Sequence, residues 1–161
     1  MTYSVADVIK ATGMKRRTIQ FWADKGVIHA TRATQEGGSG VHRSFTRSEV
    51  IIACLIHPVS LGWRGDQTRS LGEIKEFASA LRHLLRDPVI RREEFDNAIA
   101  DRGKFYLILT WVFGGGIETA IQMVDGKQKF WFPGVIDRLE EQSGRSEVLY
   151  LNEWLRPLRD M

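Results

Sequence analysis

The chain has 161 residues, 43% of them hydrophobic and 27% charged, which is ordinary for a soluble globular protein of one domain or two small ones. No apolar run approaches the roughly 20 residues that a membrane-spanning helix needs, and we find no apolar core of a secretory signal. The single cysteine, Cys54, excludes an internal disulfide and indicates a reducing, cytoplasmic environment.

The net charge of +3 is unevenly distributed along the chain. Residues 1–50 hold eight Lys or Arg and four Asp or Glu, whereas residues 51–161 hold fifteen basic and sixteen acidic residues. A basic surface attracts phosphates by releasing condensed counterions, so the positive excess favours nucleic-acid binding by the N-terminal region. On charge alone, an ordinary solvated surface is an open alternative.

Two short helices separated by a glycine turn are predicted near the N-terminus. Residues 4–11 form the first, with Ser4 as its N-cap and an apolar face at helical spacing. Gly13 supplies the left-handed conformation of a tight turn. Residues 15–25 form the second helix, which is rich in cations and ends at Gly26.

A glycine-rich basic loop and a third helix follow. We expect a long loop from Thr31 to Gly40, a wing that includes residues 37–45, and a third helix that begins at Thr46, where Thr46 and Glu49 form a capping box. Pro58 is expected to end or kink that helix. This order of elements is typical of a winged helix-turn-helix, in which one helix enters the major groove and a loop, the wing, reaches the neighbouring phosphates.

Two segments carry a more specific pattern: YSVADVIKATGMKRRTIQFWADKGVI at positions 3–28, and GVHRSFTRSEV at positions 40–50. They resemble the helix-turn-helix and the wing of MerR-type transcription regulators, over a third to a half of the chain. Phe21 and Trp22 stand where the family usually has two tyrosines. The long helix through which the family dimerises is not evident in this sequence.

The resemblance implies a set of DNA-binding residues. Arg17 would contact the DNA backbone, and Arg43 would lie against phosphate or the minor groove. Arg suits both partners because its planar fork donates two parallel hydrogen bonds, while Gln20 suits an adenine edge. Simple solvation of an exposed helix face is the alternative interpretation. The predicted DNA-binding residues are Lys15, Arg16, Arg17, Thr18, Gln20, Phe21, Lys25, His42 and Arg43.

In the middle of the chain, Ser70 and Glu73 form a second capping box that opens a helix to Arg86. Its apolar residues have a three-four spacing, which fits either a short coiled-coil seam between subunits or, as we favour, a face packed against the first three helices. Pro88 ends this helix, and a further helix is predicted at residues 89–101.

The C-terminal segment predicts a small antiparallel sheet with flanking helices. A short helix at residues 135–142 and a final helix capped by Asn152 complete it. Its many aromatic residues fit core packing better than an effector pocket. The predicted strands are residues 104–113, 118–124, 128–132 and 147–151.

The fold class is therefore α+β, in two domains. Residues 1–86 form a mostly helical winged helix-turn-helix, and residues 87–161 form a small α+β domain for dimerisation or for binding an effector or protein partner. Cys54 and His57 are three residues apart, but a zinc site needs four ligands and no second pair exists. We predict no metal, no cofactor and no enzymatic activity.

The function predicted from these patterns is sequence-specific regulation of transcription by a cytoplasmic, bacterial-type homodimer bound to double-stranded DNA. Two alternatives stay open. One is an excisionase-like architectural factor of a mobile element. The other is a protein-interaction adaptor built on a helix-turn-helix scaffold. Steep loss of DNA affinity with salt separates the DNA-binding functions from the adaptor.

Overall fold

A computed structural model describes residues 1–35, 42–61, 69–86, 91–112, 116–124 and 145–161. The chain forms two compact units. The first contains Met1–Ala78 with Asp160–Met161, and the second contains Ser79–Arg159. The division of function predicted after residue 86 stays a prediction.

The first unit begins with the predicted helix-turn-helix. Helix α1 spans Val5–Thr12 and helix α2 spans Arg16–Asp24. Ser4 caps α1 through a capping box with Asp7, which confirms the predicted start. Gly13 adopts φ 72° and donates its N–H to the Ile9 carbonyl at 2.8 Å, so the turn has the left-handed residue that glycine accommodates without strain.

Two short strands and two further helices complete the described part of this unit. Strand β1, Tyr3–Ser4, pairs antiparallel with strand β2, Ser44–Phe45. Helix α3 spans Arg32–Gln35 and helix α4 spans Arg47–Ser60. Helix α1 packs against both α2 and α4. Because β1 pairs with β2, the segment just before α4 lies next to the start of α1.

Two details of this unit differ from the sequence prediction. Helix α3 occupies a stretch that was predicted as loop, since four residues are too few to show an apolar period. Helix α4 does not end at Pro58 itself but two residues later, at Ser60, and a kink at Pro58 stays a prediction. The N–H of Leu61 bonds to the Pro58 carbonyl at 3.3 Å, which closes the last turn.

Helix α5 spans Leu71–Arg86 and begins as predicted. The Ser70 backbone N–H donates to the Glu73 carboxylate at 2.8 Å, and the Glu73 N–H donates to the Ser70 hydroxyl at 3.2 Å. The Ser70 hydroxyl also donates to the Glu73 carboxylate at 2.8 Å, and the bonds that this carboxylate accepts, first from the Ser70 side chain and then from its backbone, lower the pKa of Glu73. One face of α5 is buried, and it consists of Ile74, Phe77, Ala78, Leu81 and Leu84. The choice between a subunit seam and packing against the first three helices stays a prediction.

The second unit contains a three-stranded antiparallel sheet. Strand β3, Lys104–Val112, lies between β4, Gly116–Val124, and β5, Arg145–Tyr150. Helix α6, Arg91–Ile99, precedes the sheet. Helix α7, Leu151–Trp154, and a 3₁₀ turn at Arg156–Leu158 follow it. Helix α7 packs against β3 and α6, so the end of the chain covers the sheet.

The α+β class is confirmed, and three of the four predicted strands are present within a few residues of their predicted limits. The fourth strand, at 128–132, and the helix at 135–142 lie outside the described residues, as do residues 37–41 of the wing and Pro88. The predicted cap at Asn152 is wrong. Tyr150 is the N-cap residue of α7, and Asn152 lies inside the helix with its side chain bonded elsewhere.

Candidate nucleic-acid interface

Helix α2 is oriented by two buried side chains on its inner face. Ile19 is fully buried and Trp22 is 4% exposed. The Trp22 ring meets the edge of the His57 ring on α4, with ring centroids 6.5 Å apart. The Trp22 carbonyl accepts the N–H of Val27 at 2.8 Å, which turns the chain after the helix. These contacts fix which side of α2 faces solvent.

The solvent-facing side of α2 carries the predicted cations. Lys15 occupies the N-cap position with φ −68° and ψ 144°, and its side chain makes no capping bond. Thr18 is half-buried. Phe21 is 46% exposed, which is unusual for a large apolar side chain. The exposed residues of this surface are Lys15, Arg16, Arg17, Gln20, Phe21 and Lys25, and we call it the α2 outer face.

The charges at the start of the α2 outer face are unpaired within the described part of the chain. Over those residues, no ion pair joins Lys15, Arg16 or Arg17 to a carboxylate. Cations that are neither buried nor neutralised by the protein keep their full attraction for an external anion. The arrangement is therefore suited to phosphate contacts.

Arg43, the predicted wing cation, has a different environment. Its guanidinium forms an ion pair with Asp24 at the end of α2, and its Nη1 also donates to the Gln20 carbonyl at 3.1 Å. The Arg43 side chain is 30% exposed, whereas that of Asp24 is 58% exposed. His42, beside it, is exposed. Sequence reasoning missed Asp24, because nineteen positions separate the two partners and no periodic pattern relates them.

A cluster of hydroxyl groups joins the two chain segments that flank residues 36–41. The Thr31 hydroxyl lies 2.8 Å from the Ser44 hydroxyl and 3.0 Å from the Thr34 hydroxyl. The Ser44 N–H donates to the Thr34 hydroxyl at 3.1 Å, and the Thr31 N–H donates to the Ser44 carbonyl at 2.8 Å. This hydroxyl cluster connects α3 to β2 at the base of the wing.

Glu49 also stabilises the chain between α2 and the wing. The Thr46 hydroxyl accepts the Glu49 N–H at 3.4 Å, which is one of the two bonds of the predicted capping box. The Glu49 carboxylate is buried and accepts the backbone N–H of His29 at 2.8 Å. The carboxylate thus links α4 to the segment after α2, a long-range contact that the local sequence pattern does not reveal.

The cysteine and histidine of α4 belong to the packed interior. Burial raises the pKa of the Cys54 thiol to about 12, and its Sγ lies 3.9 Å from the Ala11 carbonyl oxygen. Burial also lowers the pKa of His57, which packs against Trp22. Among the described residues, no three His, Cys, Asp or Glu side chains are grouped to hold a metal ion. These environments suit core packing better than metal binding.

The aromatic residues of the second unit suit either core packing or an effector pocket. Phe105 is buried at 1% exposure, which fits the core. Tyr106 and Tyr150 are partners across β3 and β5, with ring centroids 5.0 Å apart, and both are half-buried. Burial is the first of the causes that raise the pKa of Tyr150. Phe113 and residues 130–132 lie outside the described residues, so the effector pocket stays a prediction.

The fold and the exposed α2 outer face define a helix-turn-helix segment of the kind that binds DNA. Residues 3–58 match the family model of the MerR HTH family regulatory proteins, which confirms the resemblance predicted for this segment. The match covers about a third of the chain and supports a DNA-binding regulator. No curated protein matches the chain. Within the described residues, no helix is long and apolar enough to cross a membrane.

Proposed function

We propose that this protein is a sequence-specific DNA-binding transcription regulator in which α2 enters the major groove. In this proposal, Arg16 and Arg17 contact phosphates, and Gln20 and Phe21 face the base edges. The wing, at about residues 37–45, lies over the adjacent backbone. The second unit would serve dimerisation or the binding of an effector or partner.

One observation carries the proposal: the cations at the start of α2 are exposed together on one side of a helix whose other side is fixed in the core. Ile19 and Trp22 hold the helix, so its outer face is presented as a rigid surface. The N-terminal end of a recognition helix is the end that lies against the DNA, and Arg16 and Arg17 are at this end of α2.

The proposal predicts that replacing both arginines weakens DNA binding through lost phosphate contacts. The double variant Arg16→Ala, Arg17→Ala should bind mixed-sequence duplex DNA at least about tenfold more weakly at low salt. The slope of log K against log salt should become shallower by about 1.8, because about 0.9 is expected for each lost phosphate contact. Fluorescence anisotropy titrations across a salt series measure both quantities.

A matched control removes two exposed cations elsewhere. The variant Lys75→Ala, Arg102→Ala changes the net charge by the same amount, on α5 and just before β3. It should keep the wild-type affinity and salt slope within experimental error. Equal losses in both variants would mean that only net charge matters, and an unchanged Arg16, Arg17 variant would reject the assignment of α2. A wild-type protein that does not bind DNA would favour the adaptor function.

A further inference from the structure

An ion pair within the protein connects the wing to α2. Arg43 reaches back from the end of the wing to Asp24, which lies on the same helix as the predicted base-reading residues. The second bond, from Nη1 to the Gln20 carbonyl at 3.1 Å, attaches the guanidinium to the helix backbone as well as to a side chain. The planar fork of arginine allows both bonds at once, which a lysine ammonium would not fix in the same geometry.

The opposite side of the wing base is attached independently. The hydroxyl cluster of Thr31, Thr34 and Ser44 links α3 to β2. Ser44 directly follows Arg43, and β2 in turn pairs with β1. The last residues of the wing are therefore held from two directions, by α2 and by α3.

We propose that Arg43 is a positioning residue, which locks the base of the wing onto α2 and neutralises Asp24, and that it does not supply a phosphate contact. The proposal rests on the proposed function for its consequence in DNA binding. It revises the role that the sequence pattern implied for this residue. The Asp24 side chain is more than half exposed, and it lies on the helix that we propose to approach the phosphates. Without Arg43, its carboxylate would therefore repel the duplex.

The first test concerns the free protein. If Arg43 is held by Asp24 and the Gln20 carbonyl, rotation of its guanidinium is slowed. Nitrogen NMR at low temperature should then resolve separate Nη resonances for Arg43, and these should merge in the Asp24→Ala variant. Arg17, exposed and without an ion pair to the described carboxylates, provides the internal reference for a freely rotating guanidinium. An Arg43 indistinguishable from Arg17 overturns the proposal, whether or not the protein binds DNA.

The second test is a double-substitution cycle in DNA binding. Arg43→Ala should weaken binding to mixed-sequence duplex by about fivefold, because the carboxylate of Asp24 is left unpaired near the phosphates. Adding Asp24→Ala removes the repulsion and should restore affinity to within about twofold of the wild type, because the hydroxyl cluster and the pairing of β2 with β1 still hold the base of the wing. The salt slope of the double variant should equal that of the wild type, since no phosphate contact has been lost.

A direct phosphate contact by Arg43 gives a different pattern. The double variant would then stay as weak as Arg43→Ala, and its salt slope would be shallower by about 0.9. That result overturns the proposal while leaving the DNA-binding function intact. Failure of the proposed function is recognised separately, by an unchanged Arg16, Arg17 variant. Circular dichroism of each variant confirms that the fold is retained.

Discussion

The amide of Asn152 attaches α7 to residues 101–105, the segment that leads into β3. Its Oδ1 accepts the Phe105 N–H at 2.9 Å, and its Nδ2 donates to the Gly103 carbonyl at 2.8 Å and to the Asp101 carboxylate at 3.0 Å. The bond from Asn152 is the first of the causes that lower the pKa of Asp101, followed by the bond from Arg159. A buried amide with both ends satisfied fixes the start of β3 against α7.

This arrangement predicts a large cost for removing the amide. Asn152→Ala leaves the buried N–H of Phe105 without an acceptor, so the free energy of unfolding should fall by about 2 kcal/mol. Urea denaturation followed by circular dichroism measures the change. Glu153→Ala, one position along the same helix and exposed, is the control and should alter stability by less than about 0.5 kcal/mol. Equal stabilities of the two variants would contradict the role of Asn152.

Helix α1 shows how far a local motif determines an element. The Ser4 N–H donates to the Asp7 carboxylate at 2.8 Å, and the Asp7 N–H donates to the Ser4 hydroxyl at 3.3 Å. The Ser4 hydroxyl also donates to the Asp7 carboxylate at 2.8 Å, and the bonds that this carboxylate accepts, first from the Ser4 backbone and then from its side chain, lower the pKa of Asp7 below its usual value of 3.8. Because each residue of the box satisfies a backbone donor of the other, the losses of stability caused by substituting Ser4 and Asp7 should not be additive.

The capping box predicts a defined dependence of stability on pH. A carboxyl whose pKa is lowered by folding stabilises the protein above its unfolded pKa, and this contribution is lost as pH falls through the folded value. Asp7→Asn should therefore be less stable at pH 7 but lose less stability than the wild type as pH falls below 3.8. Thermal unfolding from pH 7 to pH 2 measures the effect.

The Ser4→Ala variant tests the same box from its other side. It should cost about 1 kcal/mol at pH 7, the usual value for an N-cap. The double variant should cost clearly less than the two single variants together. Parallel pH profiles for the wild type and Asp7→Asn would show that the box does not contribute to stability.

At the scale of the whole molecule, one helix and one wing offer a small contact area for a regulator. Single modules bury roughly 600–1,000 Å² on DNA, and dimers gain specificity by reading two half-sites. We therefore propose a homodimer. The helices described between α4 and the sheet are α5, with 16 residues, and α6, with 9, which are shorter than the long dimerisation helix of MerR-type regulators. The second unit is then the candidate dimerisation element.

A homodimer predicts symmetry in the preferred DNA. Selection from random duplex oligonucleotides should return two inverted half-sites whose centres are about 10 base pairs, or a multiple of this, apart. Sedimentation of the protein with the selected duplex should give two chains per duplex. A single half-site bound by one chain would indicate a monomer, which is closer to an architectural factor. The Arg16, Arg17 variant serves as the negative control for the selection.

Local sequence was sufficient for the elements of the DNA-binding segment. Ser4, Gly13 and Thr46 mark the ends of α1 and α4 through bonds within three or four residues, so their effects can be derived without the fold. The spacing of Ile19 and Trp22 likewise determined which side of α2 faces solvent. The exposed cations and the family resemblance followed from the same short segments.

Tertiary structure decided what the side chains of distant segments do to one another. The sequence predicts a phosphate contact for Arg43, but the Arg43 side chain forms an ion pair with Asp24. The sequence predicts a helix cap at Asn152, but the Asn152 side chain accepts a hydrogen bond from the start of β3. In both cases the partner is many residues away, and a hydrogen bond or ion pair depends on distance in space, which periodicity and capping patterns do not encode. The sequence therefore determined the helices, the strands and the basic surface, and the fold determined which charges of that surface form ion pairs within the protein.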